Sequence, residues 1–391
     1  MFPRRVQFRS SKTTALLLAV ALYVIYVATI LVSASSISTK SDNDDEPGIR
    51  IVGVEEPKQK AKECEAAKTF AVFGAGGETG HTVIDYLLQQ KHKVRVISKN
   101  PDKWVVVKNV YTRTLTDFED PNQYEKAFAK CDGAFISPHL PYKAEDYLAE
   151  ANRSMLALRK GLERAKVPKV VIISSIGAHL DPAKHPIGTI ATSYWMEQVF
   201  KDFPAPVTFL RAAWVLDNYK SLALTVPKQQ GVLPSFITPF DMKIPMVSNF
   251  DMGVWAAKTL LDKWEGVRAL EVQGPTPLSP LDVVDAVGKA LKITTLKPVG
   301  VPETFYKDLF KSVLGPSALE LWKQTIKGFN SGVIKFEGGV SKTVLGETTH
   351  EDIVQTWFDD HAKATAAAAR ASGEASNGPD QQDKEPRTGK P

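Results

Sequence analysis

Gly74, Gly77 and Gly80 stand at the spacing G-x-x-G-x-x-G within Gly74-Ala75-Gly76-Gly77-Glu78-Thr79-Gly80. A backbone bared of side chains at this spacing can bring its own N–H groups against a diphosphate. Gly74 permits a sharp exit from a strand, Gly77 a close approach to the pyrophosphate, and Gly80 tight packing of a helix on a sheet. Glu78 and Thr79 open that helix, whose N-terminus offers free N–H donors and partial positive charge. Glycine triplets also occur in plain structural turns, so context decides. The apolar run Phe70-Ala71-Val72-Phe73 precedes the glycines, a helical pattern (Thr82, Val83, Tyr86, Leu87) follows, and Val94-Arg95-Val96-Ile97 comes next. Strand, turn, helix and strand in that order is the setting in which such a turn binds a dinucleotide.

The pattern continues. Val110-Tyr111-Thr112 reads as a strand, about Asn122 to Lys130 as a helix and Gly133-Ala134-Phe135-Ile136-Ser137 as a buried strand. Ala144 to Lys166 is a long helix, Val170 to Ser175 a near-continuous apolar strand, Tyr194 to Asp202 a helix and Val207 to Leu210 a strand. Alternation of this kind predicts an α/β fold, a doubly wound parallel sheet covered on both faces. Ligands of such sheets sit at the carboxyl ends of the strands. That rule selects Gly74–Gly80, Ser98 and Lys99, Ser137 to His139, Ser174 to Ile176 and Arg211 to Tyr219. An acid at the end of the second strand would bind a ribose 2′-hydroxyl. Ser98 and Lys99 stand there instead, a hydroxyl and a cation suited to a 2′-phosphate, which favours NADP(H) over NAD(H). The second half is richer in proline and glycine and predicts a smaller, irregular lobe over the sheet edge, covering a small-molecule substrate.

The chain of 391 residues carries a formal charge of +5. Four basic residues without an acid in residues 1–36, and one net positive charge in residues 363–391, account for all of it. The remainder is neutral, which argues against a nucleic-acid footprint. Two cysteines, Cys64 and Cys131, make no disulfide framework. Paired metal-binding spacings and a G-x-S-x-G nucleophile elbow are absent. Residues 13–36 carry no charge and approach the ~30 Å hydrocarbon thickness of a bilayer. The expected order is a basic cytosolic segment (1–12), a transmembrane signal-anchor (13–36), a linker (37–67), the nucleotide-binding domain (68–361) and a disordered tail (362–391). Arg4, Arg5, Arg9 and Lys12 before the span place the domain on the lumenal or extracytoplasmic side. Secretion after cleavage, or a mitochondrial presequence, are the alternatives.

From about Lys68 to Leu291 the chain resembles the NmrA-like branch of the atypical short-chain dehydrogenases/reductases, with a Rossmann-like fold. The glycine turn, Val94 to Pro101, Asp117-Phe118-Glu119-Asp120-Pro121, Cys131 to Phe135, Leu210 to Tyr219, Asp251-Met252-Gly253 and Gly274-Pro275 carry the likeness. Ala212 stands where proline is usual. The resemblance implies that Asp117 approaches the adenine region; a turn-forming aspartate is the other reading.

Conventional members of the wider family use Tyr-x-x-x-Lys, with tyrosine as the general acid. Those positions correspond to Thr189 and Ser193 here, four residues apart and followed by Glu197. Two readings follow. One is an oxidoreductase that passes hydride to a stacked, quinone-like acceptor and needs positioning more than an acid. Its candidate substrate groups are His139, Tyr142, Ser175, Trp214 and Asn218, with Ser137 and Ser174 expected against the cofactor and able to position the acceptor as well. The other is a non-catalytic NADP(H)-binding regulator or sensor. His139 and Trp214 also have plainer readings, as a loop histidine packed between Pro138 and Pro141 and as a core ring.

Overall fold

The computed structural model describes residues 66–99 and 108–376. Eight parallel strands form the main sheet in the order β12-β10-β6-β5-β4-β1-β2-β3. The first half supplies β1 (Thr69–Phe73), α1 (Glu78–Gln89), β2 (Lys93–Ser98), β3 (Val110–Thr114), α2 (Pro121–Phe128), β4 (Gly133–Ile136), α3 (Tyr147–Arg164), β5 (Val170–Ser175), α4 (Ala191–Phe200) and β6 (Val207–Ala212). Then come β7 (Trp214–Val215), α5 (Lys220–Thr225), α6 (Pro227–Gln230), β8 (Val232–Ser235), β9 (Met246–Val247) and α7 (Asn249–Leu261). The remainder is β10 (Val267–Gln273), α8 (Pro280–Leu291), β11 (Lys297–Gly300), α9 (Tyr306–Phe310), α10 (Pro316–Asn330), β12 (Lys342–Leu345) and α11 (His350–Ser376).

The strand order reverses between β1 and β4, which both pair in parallel. The chain leaving β1 runs to α1 on one face of the sheet and the chain leaving β4 to α3 on the other, which leaves a crevice between the two connections at the switch point. Local chemistry sets the helices around it. Asp120 and Asp146 cap α2 and α3, and Ser248 caps α7 by accepting from the Asp251 N–H. Ser279 and Asp282 form a capping box at α8. Val83, Ile84 and Leu87 give α1 its buried face.

Apolar side chains on both faces of the strands make two cores. Phe70, Val72, Val96 and Phe135 pack with α1 and α7. Ala71, Ile136, Ile172 and Phe209 pack with α3 and α4 through Leu158, Met196 and Phe200. A third core joins Ile176, Trp214 and Tyr219 to residues of α8, α10 and α11, including Val287, Phe329 and Trp357.

The expected smaller lobe requires correction. The second half is not confined to a lobe, because β10 and β12 extend the main sheet in parallel register. Buried charge explains why β10 does not read as a core strand: Glu271 lies on it with no exposed surface. Of the expected disordered tail at 362–391, residues 362–376 continue α11, and 377–391 lie outside the described residues. Among the described residues, no helix is long and apolar enough to cross a membrane. The expected span at 13–36 lies outside the described residues.

A buried ion cluster ties β5, β6, β10 and α4 to the loop before β12. Arg211 Nε and Nη2 donate to the two carboxylate oxygens of Glu197 at 3.0 and 2.7 Å. Arg211 Nη1 donates to Glu337 at 2.6 Å, and Glu271 lies 3.9 Å away. Glu271 accepts from the Glu337 N–H at 2.7 Å. Burial opposes the charge on Arg211, yet the bonds and charges of Glu197 and Glu337 hold its pKa above the usual guanidinium range.

Two outcomes follow for stability. A Cβ at Gly80 would run into the Gly74 carbonyl oxygen and lie 2.9 Å from the Ala75 Cα, whereas a Cβ at Gly76 meets nothing within 4 Å. Gly80→Ala is expected to cost about 1–3 kcal/mol in denaturant unfolding and Gly76→Ala to be near neutral. Equal effects would refute the close approach. Arg211→Met leaves three buried or half-buried carboxylates without their cation and is expected to cost about 3–5 kcal/mol. A loss under 1 kcal/mol, on the same measurement, would mean the cluster is not held by this charge.

Candidate functional site

The glycine turn fills the switch-point crevice. Gly74 takes φ +94°, which L side chains rarely adopt, and a Cβ there would lie 2.5 Å from that of Ser137. The Ser137 N–H donates to the Phe73 carbonyl at 2.9 Å, so the exits of β1 and β4 are pinned together. Gly77 is the N-cap of α1, extended at φ −92° and ψ 158°, and no side chain caps the helix. Its N–H makes a long 3.3 Å bond to Gly74 O. A Cβ on Gly77 would have the Gly74 oxygen at 3.8 Å as its nearest neighbour, so the space above the turn is open. An uncapped helix end facing open space, with a bare peptide beneath it, fits a diphosphate.

The first turn of α1 is braced from its outer side. Glu78 accepts from Lys220 Nζ at 2.5 Å and from Asn249 Nδ2 at 2.9 Å. Thr79 Oγ1 donates to Asn249 Oδ1 at 3.1 Å. Burial would raise the Glu78 pKa, but the bonds from Lys220 and Asn249 outweigh it and lower it. Asp217 accepts from the Asn249 N–H and from Trp357 Nε1 of α11, at 2.8 and 2.9 Å. Burial, helped by the nearby charge of Glu78, raises the Asp217 pKa. Asp217, Lys220, Asn249 and Trp357 were not singled out as brace residues by sequence reasoning. Their partners lie 32 to 171 residues away, and no local pattern marks them.

A second group forms past the ends of β2, β3 and β4. Lys99 Nζ stands 4.4 Å from the centroid of the Phe118 ring. The His139 imidazole stacks on the same ring at 4.0 Å. Burial first, and then the Lys99 charge, push the His139 pKa below its ordinary value. Both effects favour the neutral imidazole beside the Lys99 cation. Ser98 is half-buried at the end of β2. Asp117 accepts from the Glu119 N–H at 2.9 Å, the bond of a turn-forming aspartate. Phe118, overlooked beside it, is the ring that organises the group.

The remaining sequence candidates disperse. Ser174 is buried, and its hydroxyl donates to Glu197 at 2.6 Å, so it faces the ion cluster. Ser175 is half-buried and Asn218 exposed. Tyr142, Thr189 and Trp214 are brought together by α10, which packs against the segments following β4, β5 and β6. The Gly315 N–H donates to the Tyr142 carbonyl at 2.7 Å. The Thr189 N–H and hydroxyl each lie 2.9 Å from Thr325 Oγ1. A Cβ on Gly188 would run into the α10 backbone, 2.6 Å from the Thr325 nitrogen. Trp214 packs edge-on to Phe329 at 4.9 Å and tilted to Trp322 at 6.4 Å. The position that a catalytic tyrosine would occupy thus serves to dock α10.

Two cavities lie apart from the glycine turn. One of about 230 Å³ is lined by Leu216, Met246, Ser248, Thr349 and Ile353. The other, about 530 Å³, borders Glu197, Arg211, Val267 and Val340. Neither touches Gly74–Gly80, and the chemistry of the turn, not the size of these hollows, locates the site.

The NmrA-like family matches residues 66–353. The prestalk A differentiation protein A of Dictyostelium discoideum is 24% identical over 236 residues, 58% of this chain and 72% of that protein. In fold, the chain is similar to an NADPH-dependent quinone oxidoreductase of Escherichia coli complexed with NADPH, with a TM-score of 0.59 and 18% identity over 74% of this chain and 99% of that one. It is also similar to NmrA, a negative transcriptional regulator, in complex with NAD, with a TM-score of 0.58 and 19% identity over 77% and 98% of the two chains. With the bare turn at a parallel-sheet switch point, a match across most of its length and these shared folds, the chain belongs to the NmrA-like family.

Proposed function

We propose that this protein binds NADP(H) at the Gly74–Gly80 turn and reduces a small quinone-like acceptor without a Tyr–Lys dyad. One observation carries the reading: an uncapped α1 N-terminus over a turn with open space at Gly77. The pyrophosphate would rest on the amides of the turn and of Glu78 and Thr79. Lys99, beside Ser98 at the end of β2, would meet the 2′-phosphate and favour NADPH over NADH. The bound dinucleotide would supply a hydride, and a quinone taking up that hydride with a solvent proton becomes a hydroquinone. The chain's own task is to position the acceptor and keep water out. The quinone oxidoreductase and NADPH named together in one fold relative support this choice of acceptor and cofactor.

A regulator or sensor that binds the dinucleotide without turnover is the second reading. The docking of Thr189 on α10, where a general acid would stand, favours it. Incubation with NADPH and a panel of quinones and aldehydes separates the two. Oxidation of NADPH by quinones but not aldehydes is the expected result, and tight binding with no turnover across the panel would select the sensor.

Gly77→Val is expected to abolish NADPH binding by calorimetry while leaving the circular dichroism spectrum intact, because its side chain projects into open space. Unchanged affinity would exclude the turn as the pyrophosphate site. Lys99→Ala is expected to weaken NADPH binding about tenfold, the scale of one charge-assisted bond, and to leave NADH unaffected. Equal dissociation constants for the two dinucleotides in the unaltered protein would contradict the assignment.

A further inference from the structure

The third core holds an irregularity that packing does not account for. The indole N–H groups of Trp214 and Trp322 are both buried and have no acceptor among the described residues. Orphaned donors in a core are rare, and each costs free energy until an acceptor arrives. Here two of them occur in one cluster, with ring centroids 6.4 Å apart. Trp264 also has an unpaired N–H, but it stands elsewhere, with Lys169 and Arg268 beside its ring.

The surroundings are aromatic. Phe329 lies edge-on to Trp214 at 4.9 Å, and Phe310 and Phe236 lie 5.7 and 6.2 Å from Trp322. Trp214 opens β7 one residue beyond the end of β6, whereas Trp322 comes from α10. The pair therefore sits at the seam where α10 closes over the segments after β4, β5 and β6. The rings meet edge-on or tilted, and two N–H donors among them suit a ring ligand carrying carbonyl oxygens.

We infer that Trp214 and Trp322 are the positioning residues for the acceptor, their indole N–H groups donating to the carbonyl oxygens of a planar aromatic dione that enters as α10 moves outward. The inference rests on the quinone reading of the function and adds the groups that would select it. A ring of the same shape without carbonyls would gain stacking but leave both donors unpaired. Selection is therefore for the oxygens, not for the rings.

The test uses the full chain loaded with NADP+ and 1,4-naphthoquinone as probe, with naphthalene as the control lacking oxygens. Binding is read by calorimetry for the unaltered protein, for Trp214→Phe, Trp322→Phe, and for each tryptophan replaced by benzothienylalanine. That last ring keeps the indole shape with sulfur in place of the N–H, so it isolates the donor if phenylalanine leaves a void that disturbs folding. Loss of either N–H is expected to weaken naphthoquinone binding about fivefold or more, the scale of one hydrogen bond. Naphthalene affinity and NADPH affinity are expected to hold, and the melting temperature of the ligand-free protein to stay level or rise, because an orphaned donor has been removed. Naphthoquinone affinity within twofold of the unaltered protein in the sulfur variants would overturn the inference. A fall in their melting temperature without ligand would also overturn it, by showing that the N–H already has a structural role. Binding that depends on the indoles, without oxidation of NADPH, would refute the reductase and keep the recognition pair. No binding of naphthoquinone to any form would refute the pair, whereas NADPH oxidation by quinones without dependence on the indoles would keep the reductase alone.

Discussion

Everything at the site depends on how closely a helix can approach the ends of two parallel strands. Gly80 brings α1 against the Gly74 carbonyl, and Gly74 brings the exit of β1 against Ser137 of the neighbouring strand. A methyl group at Gly80 would push the helix end outward, and one at Gly74 would collide with Ser137. The N–H groups of the first turn would then no longer converge above bare peptide. Sheet, helix and turn are built around this contact: the connections after β1 and β4 leave for opposite faces of the sheet, and an uncapped N-terminus occupies the gap between them. The brace of Glu78, Thr79, Asn249 and Lys220 then holds the same turn from outside, and Asp217 links it to α11 through Trp357.

The other end of the crevice follows a different logic. The position of a conventional reductase's general acid, and the polar groups of the ion cluster, are spent on architecture. Thr189 binds Thr325, Ser174 binds Glu197, and Glu197 is held by Arg211. Polar groups in a low-dielectric interior are costly unless paired, and these pair with one another. What remains for chemistry on that side is aromatic surface and the indole donors of Trp214 and Trp322. On the proposed reading, a site of this composition would orient a ring rather than protonate an oxygen.

Much of the fold was legible because parallel sheets covered on both faces write nearly continuous apolar strands, as in Phe70–Phe73 and Val170–Ile173. The glycine turn was legible because its physics is local. β10 was not, because Arg268 and Glu271 break its apolar run and are tolerated only through partners on other elements. The stretch after residue 361 did not read as part of a folded helix because it is rich in alanine and offers no larger apolar side chain, while alanine's own helix preference carries α11 to Ser376. Ser174 shows the limit at the site: a hydroxyl at a strand's carboxyl end suits a ligand or an internal carboxylate equally well. Only the position of Glu197, 23 residues on, decides between them.

The central claim is that a dinucleotide's diphosphate lies on the amides opening α1. Hydrogen exchange resolved to single residues tests it most directly. On addition of NADPH at saturating concentration, the N–H groups of Gly77, Glu78 and Thr79 should slow markedly, with the far end of α1 near Gln89 unchanged. Binding without protection of those three amides, or no change anywhere in the chain at millimolar dinucleotide, would contradict the account.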